Sequence, residues 1–222
     1  MVRACNARRR MADRRGLWQT ASALPEQLLA FSLFTLAGAV TPGPNNTIST
    51  LSGATFGFRR TMPQMLGVSV GYPLMLAALG LGLGEIFKHV PWLHGAMRYV
   101  GAAFLLYLAW KLVRANAPQS AGTARPVGFF EALFFQWLNP KAWSIALGAI
   151  AAFTTPGLST SAFLWEVAIF TLVSAIITFP SLVLWCLFGV AISKMLKDDR
   201  KRRIFNYTLA VILVLSIAVL FV

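Results

Sequence analysis

Residues Leu138 to Trp143 read L-N-P-K-A-W and lie inside an apolar run long enough to cross a bilayer. A lysine at mid-span costs about 2.5–3.5 kcal/mol on insertion scales, so the ammonium of Lys141 is expected to face the bundle interior, a cavity or a partner group. Snorkelling to the cytoplasmic surface is the alternative. A second interruption, T-P-G-P-N-N from Thr41 to Asn46, divides an earlier apolar run. Proline lacks an amide hydrogen and clashes with the carbonyl four residues back, so Pro42, Pro44 and Pro140 each leave backbone acceptors without helical partners. In hydrocarbon such groups have to be satisfied, and unwound backbone is tolerated where it is buried in protein or lines an aqueous cavity. Pro42 and Pro44 also suit the first turn of a new half-helix, whose free amides and positive dipole end favour a carboxylate. Asn45, Asn46 and Asn139 add neutral donors and acceptors. The combination suits a zwitterionic or polar small molecule. Simple kinks, with the asparagines hydrogen-bonding neighbouring helices, are the plain alternative.

The elements that position these residues follow from composition. Of 222 residues, 57% are hydrophobic and 12% charged, well beyond the roughly 45–50% apolar usage of soluble domains. Six apolar segments approach the length of about 20 residues that a hydrocarbon core requires: Leu28 to Leu51, Met65 to Phe87, Trp92 to Val113, Phe129 to Phe153, Phe163 to Ile192 and Ile204 to Val222. The fifth is long and is expected to start with an interfacial turn or to tilt. The expected fold is an all-α polytopic membrane protein with helices 1 and 4 broken. Matching breaks three spans apart suggest two inverted three-helix repeats, at about 28–113 and 129–222. Residues 1–27 read as an irregular basic extension, with Met11 or a later residue as an alternative start. The apolar segment after it runs straight into T-P-G-P, which indicates a retained first span rather than a cleaved signal.

A net charge of +13 would suggest nucleic acid in a soluble protein. Here the basic residues cluster at segment ends, with Arg8, Arg9, Arg10, Arg14 and Arg15 ahead of the first span and Lys194, Lys197, Arg200, Lys201, Arg202 and Arg203 between the fifth and sixth. Such clusters suit anionic membrane lipids and set topology, so no nucleic-acid partner is expected. Arg59, Arg60, Lys111, Arg114 and Arg125 belong to loops on the same side as the Lys194–Arg203 cluster, against Lys88 and Arg98 on the other. The excess places both termini outside the cytoplasm, although the arginines of the N-terminal tail argue the other way.

Other residue types narrow the function. Cys5 and Cys186 are too far apart in context for an expected disulfide, and neither has metal-ligand spacing. His89 and His94 flank Pro91 and Trp92 in a short loop and read as interfacial polar residues. Gly53 with Gly57, and Gly67 with Gly71, place small residues on one helical face for close helix approach, and Gly80, Gly82 and Gly84 also read as packing glycines rather than a phosphate loop. Glu131 and Glu166 are the carboxylates nearest membrane depth and thus the candidates for proton coupling, with a solvated end charge as the alternative for each. An intramembrane enzyme would need a positioned base or paired acids, and the chain has no H-E-x-x-H. A non-transporting membrane subunit would explain kinks but not a lysine beside Asn139 at mid-span. No catalytic residue, metal or organic cofactor is expected.

At this point the motifs carry a family resemblance. T-P-G-P-N-N with the following G-F-R-R and L-G-V-S-V-G, L-A-W-K at the end of the third span, and F-Q-W-L-N-P-K-A-W in the fourth resemble the LysE/RhtB family of amino-acid exporters, from about Leu28 to Val222. The resemblance implies six spans as two inverted three-helix repeats in the bacterial plasma membrane, and export of amino acids or close derivatives driven by the proton gradient. Asn45, where other members carry T-P-G-P-D, points away from basic substrates such as lysine, and the G-P-N-N and G-F-R pattern is similar to exporters of cysteine and O-acetylserine and of neutral amino acids. The candidate substrate-binding residues are Thr41, Pro42, Gly43, Pro44, Asn45, Asn46, Gln136, Asn139, Pro140 and Lys141. Besides the amino-acid substrate and lipid, self-association into a homo-oligomer stays open.

Overall fold

The computed structural model describes residues 26–83, 91–114, 125–195 and 198–218, and among these residues the structure is helical with no strand. Helix α1 (Glu26–Val40) stops where Thr41, Pro42 and Gly43 leave the helical path, and α2 (Pro44–Phe56) restarts with Pro44 in its first turn. Proline fits there because the amide it lacks would have had no helical partner. Gly57, at φ 81°, makes the one-residue turn into α3 (Phe58–Ala78), which continues as a π-type turn over Leu79–Leu83. Helix α4 spans Pro91–Arg114. Helix α5 (Phe129–Phe135) tightens into a 3-10 turn at Gln136–Leu138, Asn139 becomes extended, and α6 (Pro140–Phe153) again begins on proline. Helices α7 (Thr160–Met195) and α8 (Asp199–Ala218) follow.

Both expected breaks are therefore present, each at its proline. Some boundaries differ from expectation. The second apolar segment, read as starting at Met65, is already helical from Phe58, because the positive φ of Gly57 reverses the chain within one residue. Arg59 and Arg60 accordingly sit in the first turn of α3, exposed, instead of in a loop. His94 lies within α4 and not in a loop. The tail before Glu26, with Cys5 and its arginines, and Gly84, Glu85, Lys88, His89, Lys197 and Val222 lie outside the described residues.

Two helix contacts frame the first break. Helix α2 lies against α7, where a Cβ on Gly53 would collide with the Cys186 carbonyl and a Cβ on Gly189 with the Thr50 carbonyl. Helix α3 meets α5 in the same way, with Gly67 against Phe129 and Gly71 against Leu133. The Gly67/Gly71 pair packs as its spacing predicts. Of the other pair only Gly53 does, since Gly57 forms the turn. Gly80 packs on Val167, while Gly82, at φ 103°, has open space beside it and serves backbone conformation instead.

Helix α2 is unusually polar for a buried helix, with Asn46, Thr47, Ser49, Thr50 and Ser52 all inside. Three of its hydroxyls bond to neighbouring helices: Ser49 donates to Gln64 at 2.9 Å, Ser52 pairs with Thr61 at 2.9 Å, and Thr50 reaches the Trp185 carbonyl at 3.1 Å. The apolar core beside it holds Phe31 stacked on Phe170 at 4.3 Å, with Met75, Leu76, Ala146 and Ala149. Outward faces carry exposed Phe130, Phe134, Leu172, Ile176, Leu184 and Leu215. An apolar exterior around a partly polar interior is the arrangement a lipid solvent selects.

Candidate functional site

The first break has to satisfy the carbonyls that helix α1 can no longer pair. The Ala37 oxygen still accepts the Thr41 amide at 3.1 Å, and the Gly38 oxygen accepts the Thr41 hydroxyl at 3.0 Å. Beyond that point side chains from three helices take over. Asn46 Nδ2 donates to the Ala39 oxygen at 2.8 Å and to the Thr41 oxygen at 2.7 Å, so an asparagine one turn inside α2 ties α2 back to the end of α1. Trp185 Nε1 of α7 donates to the Val40 oxygen at 3.1 Å. Lys141 Nζ, from the first turn of α6, donates to the Thr41 oxygen and, at 3.2 Å, to the Pro42 oxygen. The lysine stem lies across Gly43, where a Cβ would come within 2.6 Å of its Cδ. No carboxylate pairs with Lys141 among the described residues.

The two breaks also meet through amides. Asn45 Nδ2 donates to Gln136 Oε1 at 2.8 Å, Gln136 Nε2 returns a bond to Asn45 Oδ1 at 3.3 Å, and the same Nε2 donates to the Ala132 oxygen at 2.8 Å. Gln136 is thus held on the 3-10 turn, fully buried, and Asn45 is held by it. The sequence motifs supply one cluster: Thr41, Pro42, Gly43, Asn45, Asn46, Gln136 and Lys141 touch one another across about a hundred residues of chain. Pro44 and Pro140 begin the two helices that leave it.

Between the breaks is a cavity of about 50 Å³, lined among others by Gly43, Asn45, Asn46, Asn139 and Lys141. Three more of its lining residues, Thr35, Tyr72 and Thr178, were not singled out by sequence. The Thr35 hydroxyl, the Tyr72 hydroxyl and Asn139 Oδ1 are buried with no hydrogen-bond partner among the described residues. Buried polar atoms are nearly always paired, and leaving one unpaired costs about 1–3 kcal/mol. Three of them around one cavity, on α1, on α3 and at the second break, point to a polar occupant. Two hydroxyls and an amide oxygen offer two donors and several acceptors, and the Asn45 and Asn46 amides open the N-terminus of α2 beside them. Neither Thr35 nor Tyr72 carries a sequence signal that separates it from a helix-packing residue, although Tyr72 is the one tyrosine between Leu28 and Phe87.

A larger cavity of about 390 Å³ adjoins the smaller one, lined by Gln64, Tyr107, Glu131, Phe135 and Leu138 with Asn45 and Val68 shared. Glu131 accepts the Gly128 amide at 2.8 Å, closing the first turn of α5, and forms an ion pair with Arg125. Its side chain is 48% exposed. Glu166 stands apart, 2% exposed, near the start of α7. Its carboxylate accepts the Thr155 amide at 3.0 Å and the Thr155 hydroxyl at 2.7 Å, and that hydroxyl in turn accepts a bond from Gln27 at 3.2 Å.

Apolar-faced helices around a partly polar interior fit a helical membrane protein. The chain belongs to the LysE type translocator family, whose profile matches residues 36–222. It is similar to the cysteine/O-acetylserine efflux proteins of Salmonella typhimurium strain LT2, at 31% identity, and Escherichia coli strain K12, at 30% identity, each over 191 residues covering 86% of this chain and 95% of the relative. No solved structure matches the chain.

Proposed function

We propose that this protein is a secondary transporter that exports neutral amino acids or their close derivatives from the cytoplasm, with cysteine and O-acetylserine as the first substrates to test. The observation that carries this reading is that Thr35, Tyr72 and Asn139, each with a buried polar atom that has no partner among the described residues, line one cavity between two helix breaks. In the proposed pose the substrate carboxylate meets the Asn45 and Asn46 amides and the two hydroxyls, and the ammonium meets Asn139 Oδ1 and the carbonyls of the break. The absence of a carboxylate among the described lining residues suits a side chain without positive charge. The relatives' names and the Asn45 form of the motif support the same class.

In the same reading the chain crosses the bacterial plasma membrane six times, with α1–α2 and α5–α6 each forming one broken crossing, as two inverted repeats. Arg59, Arg60 and Arg125 then face the cytoplasm, and the larger cavity beside Arg125 is the cytoplasmic approach to the site, closed by the Asn45–Gln136 pair. Proton entry at Glu166 drives the cycle, a role supported by its burial, whereas Glu131 is occupied by Arg125.

Inside-out membrane vesicles test the function. They are expected to accumulate labelled O-acetyl-L-serine when their interior is acidic, and to lose that accumulation with an uncoupler or with Glu166→Gln. No uptake of any neutral amino acid above vesicles lacking the protein would end the exporter reading, and uptake indifferent to the uncoupler would end proton coupling alone.

A further inference from the structure

The carbonyls freed by the first break are not equally provided for. Ala39 and Thr41 have Asn46, and Val40 has Trp185, but Lys141 is the donor recorded for Pro42. Lys141 thus closes the last open acceptor of the break with an ammonium group, carried on a four-carbon stem that runs over Gly43 into the cavity lining. Both of its hydrogen bonds go to backbone carbonyls.

Lys141 is the one charged side chain that lines this cavity among the described residues. Its side chain is long, half-buried and hydrogen-bonded only at its tip. An α-ammonium group is also the same donor as a lysine ammonium: three N–H groups, one positive charge and no acceptor.

We propose that Lys141 is a tethered stand-in for the substrate ammonium: it occupies the Thr41 and Pro42 carbonyls when the site is empty, and an incoming amino acid displaces it from them. The inference rests on the exporter reading above and specifies how its site is held without substrate. Displacement exchanges one ammonium for another on the same two oxygens, so the Pro42 carbonyl, which has no other donor among the described residues, keeps one throughout. After release of the substrate the stem returns and shuts the cavity. The lysine therefore competes with substrate for binding while supporting turnover.

Competition makes the sign of one measurement decisive. Where a site is free for only a fraction of the time, the apparent dissociation constant is the intrinsic one divided by that fraction, so a lysine occupying it nine-tenths of the time weakens binding about ten-fold. Purified Lys141→Met is expected to bind O-acetyl-L-serine about ten-fold more tightly than the parent protein, while its export in vesicles falls. Propylammonium should compete with O-acetyl-L-serine for the Lys141→Met protein and have little effect on the parent. Lys141→Gln, which keeps a neutral donor, is the second variant, and melting curves report folding of both. Weaker or unchanged binding by the folded variants would overturn the proposal and leave Lys141 as a substrate ligand or structural donor. Failure of the parent protein to bind either O-acetyl-L-serine or L-cysteine would instead remove the exporter reading on which the proposal rests.

Discussion

Tyr72→Phe and Thr35→Val are expected to raise the thermal stability of the substrate-free protein while weakening substrate binding. Both hydroxyls are buried without a partner among the described residues, and each such group burdens the empty protein by about 1–3 kcal/mol. Replacing either with an apolar group of nearly the same shape removes that burden and adds no cavity. In the proposed bound state the same hydroxyls would hydrogen-bond the substrate, and a bond to a charged carboxylate contributes about 1.5–3 kcal/mol. Its loss corresponds to a ten-fold or larger rise in dissociation constant for each variant, at about 1.4 kcal/mol per decade. Melting curves and equilibrium binding on the same preparations give both quantities. A structural role predicts the reverse pairing, with lower stability and unchanged affinity, and that outcome would remove these two residues from the site.

Asn46→Leu is expected to be the most damaging single change to the fold. One amide nitrogen, on a buried asparagine in the first turn of α2, serves the Ala39 and Thr41 carbonyls at 2.8 and 2.7 Å. Leucine fills a similar volume but donates nothing. At about 1–3 kcal/mol for each carbonyl left short of a donor, the loss is about 2–6 kcal/mol, a large part of the 5–15 kcal/mol that ordinary domains possess. Lys141 still reaches Thr41, which places that carbonyl at the lower end of the range. Little folded protein should be recovered from membranes, and what is recovered should melt well below the parent. A melting temperature within about 2 °C of the parent, a shift below 1 kcal/mol for a chain of this size, would show that the break does not depend on Asn46.

These expectations rest on features that differ in how far the sequence reveals them. The helix breaks were readable because Pro42, Pro44 and Pro140 stand beside glycine or asparagine within an apolar run, whereas Pro63, Pro73 and Pro180 remain inside α3 and α7. Lys141 was readable as a residue needing a partner, but its partners are carbonyls about a hundred positions earlier, which carry no side-chain signature. The Gly53/Gly57 spacing suggested a packing face, yet Gly57 takes a positive φ that the same spacing does not betray. Thr35 and Tyr72 could not be distinguished, because a hydroxyl within an apolar helix ordinarily bonds its own backbone, as Ser69 does with the Met65 carbonyl at 2.8 Å. Only the three-dimensional packing shows that these two do not. Likewise Glu131 and Glu166 look alike as end-of-span acids, and tertiary context alone separates an exposed ion pair from a buried carboxylate.

The central claim is that an amino acid occupies the cavity between the two breaks, and protection from chemical modification addresses it most directly. A single cysteine at Ala142, a buried lining position beside Lys141, is placed in a Cys5→Ser, Cys186→Ser background that retains export. Its rate of reaction with a small thiol reagent is then measured with and without O-acetyl-L-serine. The account predicts that the substrate slows modification at Ala142→Cys, at concentrations matching those that saturate export, and leaves a control cysteine at Ser159, exposed between α6 and α7, unaffected. Saturating, transported substrate that leaves the Ala142→Cys rate unchanged would contradict it and place the translocation path elsewhere in the bundle.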